Sequence, residues 1–190
     1  MKDIKNFTKE YILKLNQLLD KIDENVVADI VSLFERVSKN KNTVYIIGNG
    51  GSAATASHWV NDFSAGLKRR NILSIDMKSL ADNTPVCTAI ANDIGYENIF
   101  KLQLQDILTK DDVLFAISCS GTSPNIINAV KYAKDIGAKV VGATGFDGGD
   151  LLKLSDIKFH VQTPKGEYGL VEDIHMILDH IIYSYYMQKA

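Results

Sequence analysis

An α/β three-layer sandwich, α/β/α, with a five-stranded parallel sheet behind an N-terminal helical pair, is the fold class that this sequence predicts. Three observations predict it. Strand-like runs alternate with segments of helical period, several runs are apolar throughout as in strands buried on both faces, and the turns between them are two to six residues long. The 190 residues read as a single domain, and 46% apolar with 23% charged is ordinary globular composition for a chain able to bury a sizeable core. Ligands of such folds sit beyond the carboxyl ends of the strands, where the chemistry is to be sought.

The chain opens with two helices over residues 3–39. Tyr11, Ile12, Leu15, Leu18, Leu19 and Ile22 form one apolar stripe, Val26, Val27, Ile30, Val31 and Phe34 a second, and Asp23 between them is placed to cap the second helix. Such a pair can cover the end of its own sheet or a surface of another subunit; the amphipathic first helix makes residues 1–40 an expected oligomerisation element. Thr43–Ile47 is the first strand, Gly48–Ser52 a glycine-rich turn, and Ala53–Gly66 a helix. Ile72–Ile75 is a short strand, and Asn92–Tyr96 a polar loop closed by glycine. Phe100–Leu108 has helical period, and Asp112–Ile117 is a continuous apolar strand. Ser118–Ser123 is a second turn, opening a helix over Asn125–Ile136 with Pro124 in its first turn. Ala138–Ala143 and Ile157–Val161 are strands on either side of a short helical piece, Asp150–Leu154, and a long helix over residues 171–188 closes the chain.

A formal charge of −2 without a long basic run argues against nucleic-acid binding, since Lys68-Arg69-Arg70 reads as a solvated helix end. Cys87 and Cys119 lack metal-type spacing or a pairing pattern, which fits a reduced cytoplasm. No secretion signal or membrane-crossing run is evident, so the cytoplasm is the expected compartment and the membrane no partner.

Two strand-to-helix turns carry the first chemical signal. A phosphate needs donors converging from one side, which helix N-terminal amides and the hydroxyls of Ser52, Ser118, Ser120 and Ser123 supply. One such turn is equally well explained by tight-turn glycines and helix caps; four serines on turns of one sheet edge favour the phosphate. Nucleotide loops fit poorly, because Ala53 stands where the third glycine of Gly-x-Gly-x-x-Gly belongs and the Gly-x-x-x-x-Gly-Lys-Ser/Thr pattern is absent.

His58 and Asp62, one helical turn apart, carry the second signal together with Glu172, Asp173, His175, Asp179 and His180 on the last helix. Imidazoles and carboxylates in this mixture suit zinc or acid–base work, although each taken alone reads more simply as a satisfied or solvated group. On a helical period Asp173 and His180 share a stripe, whereas Glu172 lies about 80° round from His180. Asn92 and Asp93 either shape a turn or hold sugar hydroxyls.

With these residues in place the sequence resembles the sugar isomerase (SIS) domain family, and within it the phosphoheptose isomerases. The resemblance runs from the leading helices to the last helix. It is most specific at Gly48-Asn49-Gly50-Gly51-Ser52 with His58, at Asn92-Asp93 with Gly95, at Ser118-Cys119-Ser120-Gly121 with Ser123, and at Glu172-Asp173-Ile174-His175 with His180. It implies a homotetramer with sites between subunits and one zinc per subunit. The reaction implied is conversion of sedoheptulose 7-phosphate to D-glycero-D-manno-heptose 7-phosphate through an enediol, for lipopolysaccharide, capsule or S-layer glycans. Ser52, Ser118, Ser120 and Ser123 would hold phosphate, with Gly50, Gly51 and Cys119 in the same substrate-binding turns. Asn49, Asn92 and Asp93 would touch the sugar, and Glu172 would face it. His58, Asp62, Glu172 and His180 would surround the metal, and Asp62 and His180 would carry protons. Three departures from the family pattern stand out: Asp62 replaces a glutamate, Glu172 a glutamine and Gly169 an aspartate. The first shortens the catalytic arm, the second adds charge that favours a cation, and the third removes a hydroxyl contact. A phosphosugar-binding regulator that kept the fold and lost the chemistry, or an isomerase of another phosphosugar, is the alternative.

Overall fold

The computed structural model describes residues 3–189. Helices α1 (Ile4–Leu19) and α2 (Glu24–Asn40) form the leading pair, and Asp23 caps α2 by accepting the Asn25 N–H at 2.9 Å. Five strands follow: β1 (Thr43–Gly48), β2 (Asp76–Ser79), β3 (Val113–Ser118), β4 (Lys139–Gly145) and β5 (Ile157–Val161). They pair in parallel in the order β2-β1-β3-β4-β5. The chain steps outward from β1 to the edge at β2 and returns to the other side of β1 at β3. The turns after β1 and β3 therefore diverge at the point where the winding reverses, which opens the crevice that such sheets use for ligands.

Alternation along the strands builds two cores. Val44, Ile46, Val113, Phe115 and Ile117 face α2 and the last helix, α8 (Tyr168–Met187), while Tyr45, Ile47, Leu114 and Ala116 face the opposite layer. On the first face Trp59 stacks on Phe63 at 5.1 Å, and Phe34 meets both rings edge-on. The opposite layer holds α4 (Thr84–Asp93), α5 (Lys101–Leu104), α6 (Pro124–Ile136) and α7 (Gly149–Leu154).

Five expectations are corrected. The second strand lies at Asp76–Ser79, not at Ile72–Ile75. As an edge strand it buries only Met77, between exposed Asp76 and Lys78, so the polar alternation of an edge replaces the apolar run that marks a central strand. Asn92 and Asp93 end helix α4 instead of forming a loop; that helix is set by the Asn83 cap and Pro85 in its first turn, and it buries only Ile90, too little for an apolar stripe. The helix expected over Phe100–Leu108 shrinks to α5, and Asp106 has a positive φ of 64°. The helix after the first turn begins at Gly51 as α3 (Gly51–Val60) and widens into a π-helical stretch, Asn61–Leu67. Helix α8 also starts three residues before the expected Val171. Among the described residues no helix is long and apolar enough to cross a membrane.

Helix α1 covers its own chain on one side, with Leu15, Leu18 and Leu19, and Ile22 just beyond its end, half-buried against the first core. Its Tyr11 hydroxyl donates to Asp173 Oδ2 at 2.7 Å, and Lys14 pairs with Glu167 at 3.0 Å, so two ties fix α1 to the start of α8. Ile4, Phe7, Ile12 and Leu13 stay between 49% and 70% exposed.

Candidate functional site

The turn after β1 runs over Gly48, Asn49 and Gly50 into α3. Gly50 has φ 54°, a conformation that favours glycine, and Gly51 lies so close to the Glu172 carboxylate that a side chain there would collide with it. Neither N-cap residue caps its helix through a side chain, with Ser52 buried at the start of α3 and Ser123 at the N-cap of α6. The two starts differ: that of α3 opens toward the strand ends, whereas in α6 Pro124 has no N–H and the Ile126 N–H donates to Asn125 Oδ1 at 3.0 Å. Ser118 ends β3, and its hydroxyl accepts the Gly121 N–H at 3.2 Å. Ser120 Oγ accepts from Thr122 N at 3.3 Å, and a cleft lined by Ser120, Thr122, Asp147 and Lys165 opens beside it. Burial, then the nearby Glu172 charge, pushes the Cys119 thiol up to about 11, so this cysteine is a protonated lining group and no nucleophile.

Asn49 is locked from two sides. Its amide exchanges hydrogen bonds with fully buried Asn125, at 3.0 and 2.8 Å, and its Oδ1 also accepts the Tyr96 hydroxyl at 2.9 Å. Asn125 and Tyr96 escaped the reading of the sequence. The signal for Asn125 was an amide in the first turn of a helix, a place that solvent or a cap explains equally well. Asn92 and Asp93 are exposed at the end of α4 and bond each other at 2.7 Å.

One group of acid–base side chains converges between α3, the π-helical stretch and α8. His180 Nε2 lies 3.1 Å from His58 Nε2, and His58 Nε2 lies 3.6 Å from both Asp62 Oδ2 and Asp179 Oδ2. Ligand atoms of all four residues fall within 4.8 Å of one another, an arrangement of two imidazoles and two carboxylates able to hold a metal ion. The short His–His contact requires one ring to carry its proton on Nε2 and the other to leave that nitrogen free. Asn61 Nδ2 donates to Asp62 Oδ1 at 2.9 Å and leaves Oδ2 facing His58. Burial, reinforced by the charge of Asp62, raises the Asp179 carboxyl to about 8.

The other acidic and imidazole groups of α8 go elsewhere. Glu172 is not a member of the group; its carboxylate lies over Gly51. Asp173 holds Tyr11, and His175 is buried with Nε2 3.2 Å from the Thr144 carbonyl. The tip of Tyr11 also lies against Gly169, 3.0 Å from where a Cβ would be, so an aspartate at this position would meet the α1 tie.

A family model described as "SIS domain" matches residues 8–145. The phosphoheptose isomerase of Aliarcobacter butzleri is 40% identical over 76% of this chain and 75% of its own length. The structure of phosphoheptose isomerase GmhA from Neisseria gonorrhoeae superposes with a TM-score of 0.84 at 27% identity, covering 97% of both chains. A Vibrio vulnificus NanR protein complexed with ManNAc-6P superposes at 0.70 with 18% identity over 98% of this chain and 63% of its own, a likeness of fold alone.

Proposed function

The chain belongs to the SIS domain family and, within it, to the phosphoheptose isomerases, and on that footing we propose how its own residues isomerise sedoheptulose 7-phosphate to D-glycero-D-manno-heptose 7-phosphate for heptose biosynthesis. The observation that carries this reading is the meeting of the turns after β1 and β3 at the sheet's switch point with the His58–Asp62–His180 group on α3, the π-helical stretch that continues it, and α8. The phosphate is assigned to the open amides at the start of α3 with Ser52, Ser118, Ser120 and Ser123, where the helix dipoles of α3 and α6 add to the hydrogen bonds. Asn49, held in one orientation by Asn125 and Tyr96, is assigned to a sugar hydroxyl, as are Asn92 and Asp93.

In the reaction Asp62 takes the proton from the carbon beside the carbonyl and His180 gives one to the carbonyl oxygen, so an enediol forms. Return of a proton to the neighbouring carbon, with loss of one from the other hydroxyl, completes the shift. Each positioned proton transfer contributes roughly a hundred- to ten-thousandfold.

The donor set fits a divalent cation, since two imidazoles and two carboxylates lie within 4.8 Å and both oxygens of buried Asp179 lack a donor. We assign it as zinc, one per subunit, held by His58, Asp62 and His180; the family resemblance names Glu172 as a further ligand, but its carboxylate lies over Gly51, outside the group. When bound, it polarises the carbonyl oxygen. A cytoplasmic homotetramer with its sites between subunits completes the proposal, supported by the apolar residues that α1 leaves exposed and by two free cysteines.

The test is turnover of sedoheptulose 7-phosphate, beside a panel of pentose and hexose phosphates, by purified protein supplied with zinc. Asp62→Asn and His180→Ala should each lower kcat by at least about a hundredfold. Tight binding of the heptulose phosphate without turnover would overturn the catalytic reading in favour of a sugar-phosphate sensor.

A further inference from the structure

Asp179 is 0% exposed, and neither of its carboxylate oxygens has a hydrogen-bond partner. A buried carboxylate without a donor is costly to fold around, and a leucine would fill the same stripe of α8, between Ile174, Leu178 and Ile182, without that cost. The side chain is aimed at the one place where its charge is useful. Oδ2 lies 3.6 Å from His58 Nε2, too far for a hydrogen bond. Tetrahedral ligands about 2.05 Å from a zinc ion stand about 3.3 Å from one another. The separations of 3.1 Å from His58 to His180 and 3.6 Å from His58 to each aspartate bracket that value. Glu172 precedes Asp179 by seven residues, two turns or about 10 Å along α8, and is turned to Gly51.

We propose that Asp179, and not Glu172, is the fourth ligand of a divalent-cation site that His58, Asp62, Asp179 and His180 build within a single chain. Glu172 is thereby left to line the glycine turn where the sugar phosphate enters. The assignment rests on the metal reading given above, but it changes the ligand set and removes any need for a second subunit to complete it.

Zinc affinity measured by competition with a chromophoric chelator, together with zinc-dependent thermal unfolding, decides the matter without reference to activity. Asp179→Asn should bind zinc more than about a hundredfold more weakly than the wild type, beyond the roughly ten- to hundredfold that loss of an outer-shell partner costs. In the absence of metal it should unfold at a temperature no lower than the metal-free wild type, because the carboxyl it replaces is buried without a hydrogen-bond partner, and zinc should no longer raise that temperature. Asp179→Ser gives the same readout should the amide not be accommodated. Glu172→Gln should keep zinc affinity within about threefold. Undiminished affinity in Asp179→Asn, with the loss appearing in Glu172→Gln, overturns the assignment and leaves the metal reading intact. A wild-type protein that takes up no zinc overturns both.

Discussion

Asp62 has a shorter arm than the glutamate that the resemblance led one to expect, and its surroundings set what that arm can do. Asn61 occupies one carboxylate oxygen and leaves the other 3.6 Å from His58, so the group is oriented by its neighbour in sequence and not by length. His175, one turn before Asp179, shows the opposite outcome for a polar residue on α8. Burial lowers its imidazole to about 4 from an ordinary 6.5, and only Nε2 has a partner, the Thr144 carbonyl. Between those values the unfolded chain holds a proton that the folded chain does not. Stability therefore rises with pH across this window, is fully present above about 6.5, and is lost toward pH 4 by as much as about 3 kcal/mol. Urea titrations from pH 7 to 4.5 should show this slope in the wild type and a flatter one in His175→Gln; equal slopes would mean that the ring is protonated in place. At this scale the sequence displayed the right residue types without their assignments. Asp173, His175, Asp179 and His180 stand within eight positions, and which one is a tie, a core group or a candidate ligand depends on what packs against each face.

Among the elements, central strands and long helices were legible because their burial is continuous: β3 and β4 lie between two layers, and α2 and α6 carry clear apolar stripes. The signal failed at β2, which buries only Met77, and at α4, which buries only Ile90. The π-helical stretch is hidden for another reason. Trp59, Phe63 and Leu67 recur every four residues and are all fully buried, a spacing that an ordinary helix would slowly rotate off the core and that a wider turn keeps aligned. The ties between α1 and α8 lie on this scale too. Tyr11→Phe removes the hydroxyl that Asp173 accepts at 2.7 Å, at a cost of about 1 kcal/mol, and should speed hydrogen exchange across residues 4–19 more than elsewhere. Unchanged exchange there would show that packing alone holds α1.

For the whole molecule, the order β2-β1-β3-β4-β5 brings the two loops recognised in the sequence to neighbouring strands, although some 70 residues separate them in the chain. The glycine and serine spacing announced both loops; only the crossover to the sheet edge and back makes them one site. Assembly is a property of the same scale. Ile12 and Leu13 are 51% and 59% exposed on a helix whose other side already covers its own chain. Placing lysines at both positions should reduce the mass seen by light scattering below that of the proposed tetramer, and an unaltered mass would move the interface away from α1. Helix α8 connects these levels. It is a rod of 20 residues, about 30 Å long, fastened to α1 at its first turns, resting Glu172 on the glycine turn, and carrying Asp179 and His180 near its middle. Its far end is held as well, by the Tyr186 hydroxyl on the Val31 carbonyl at 3.3 Å and by Lys189 on Glu35 at 3.3 Å. The spacing between the glycine turn and the His58–His180 group is thus gauged from outside the pocket, by how firmly the two leading helices grip the two ends of the last one.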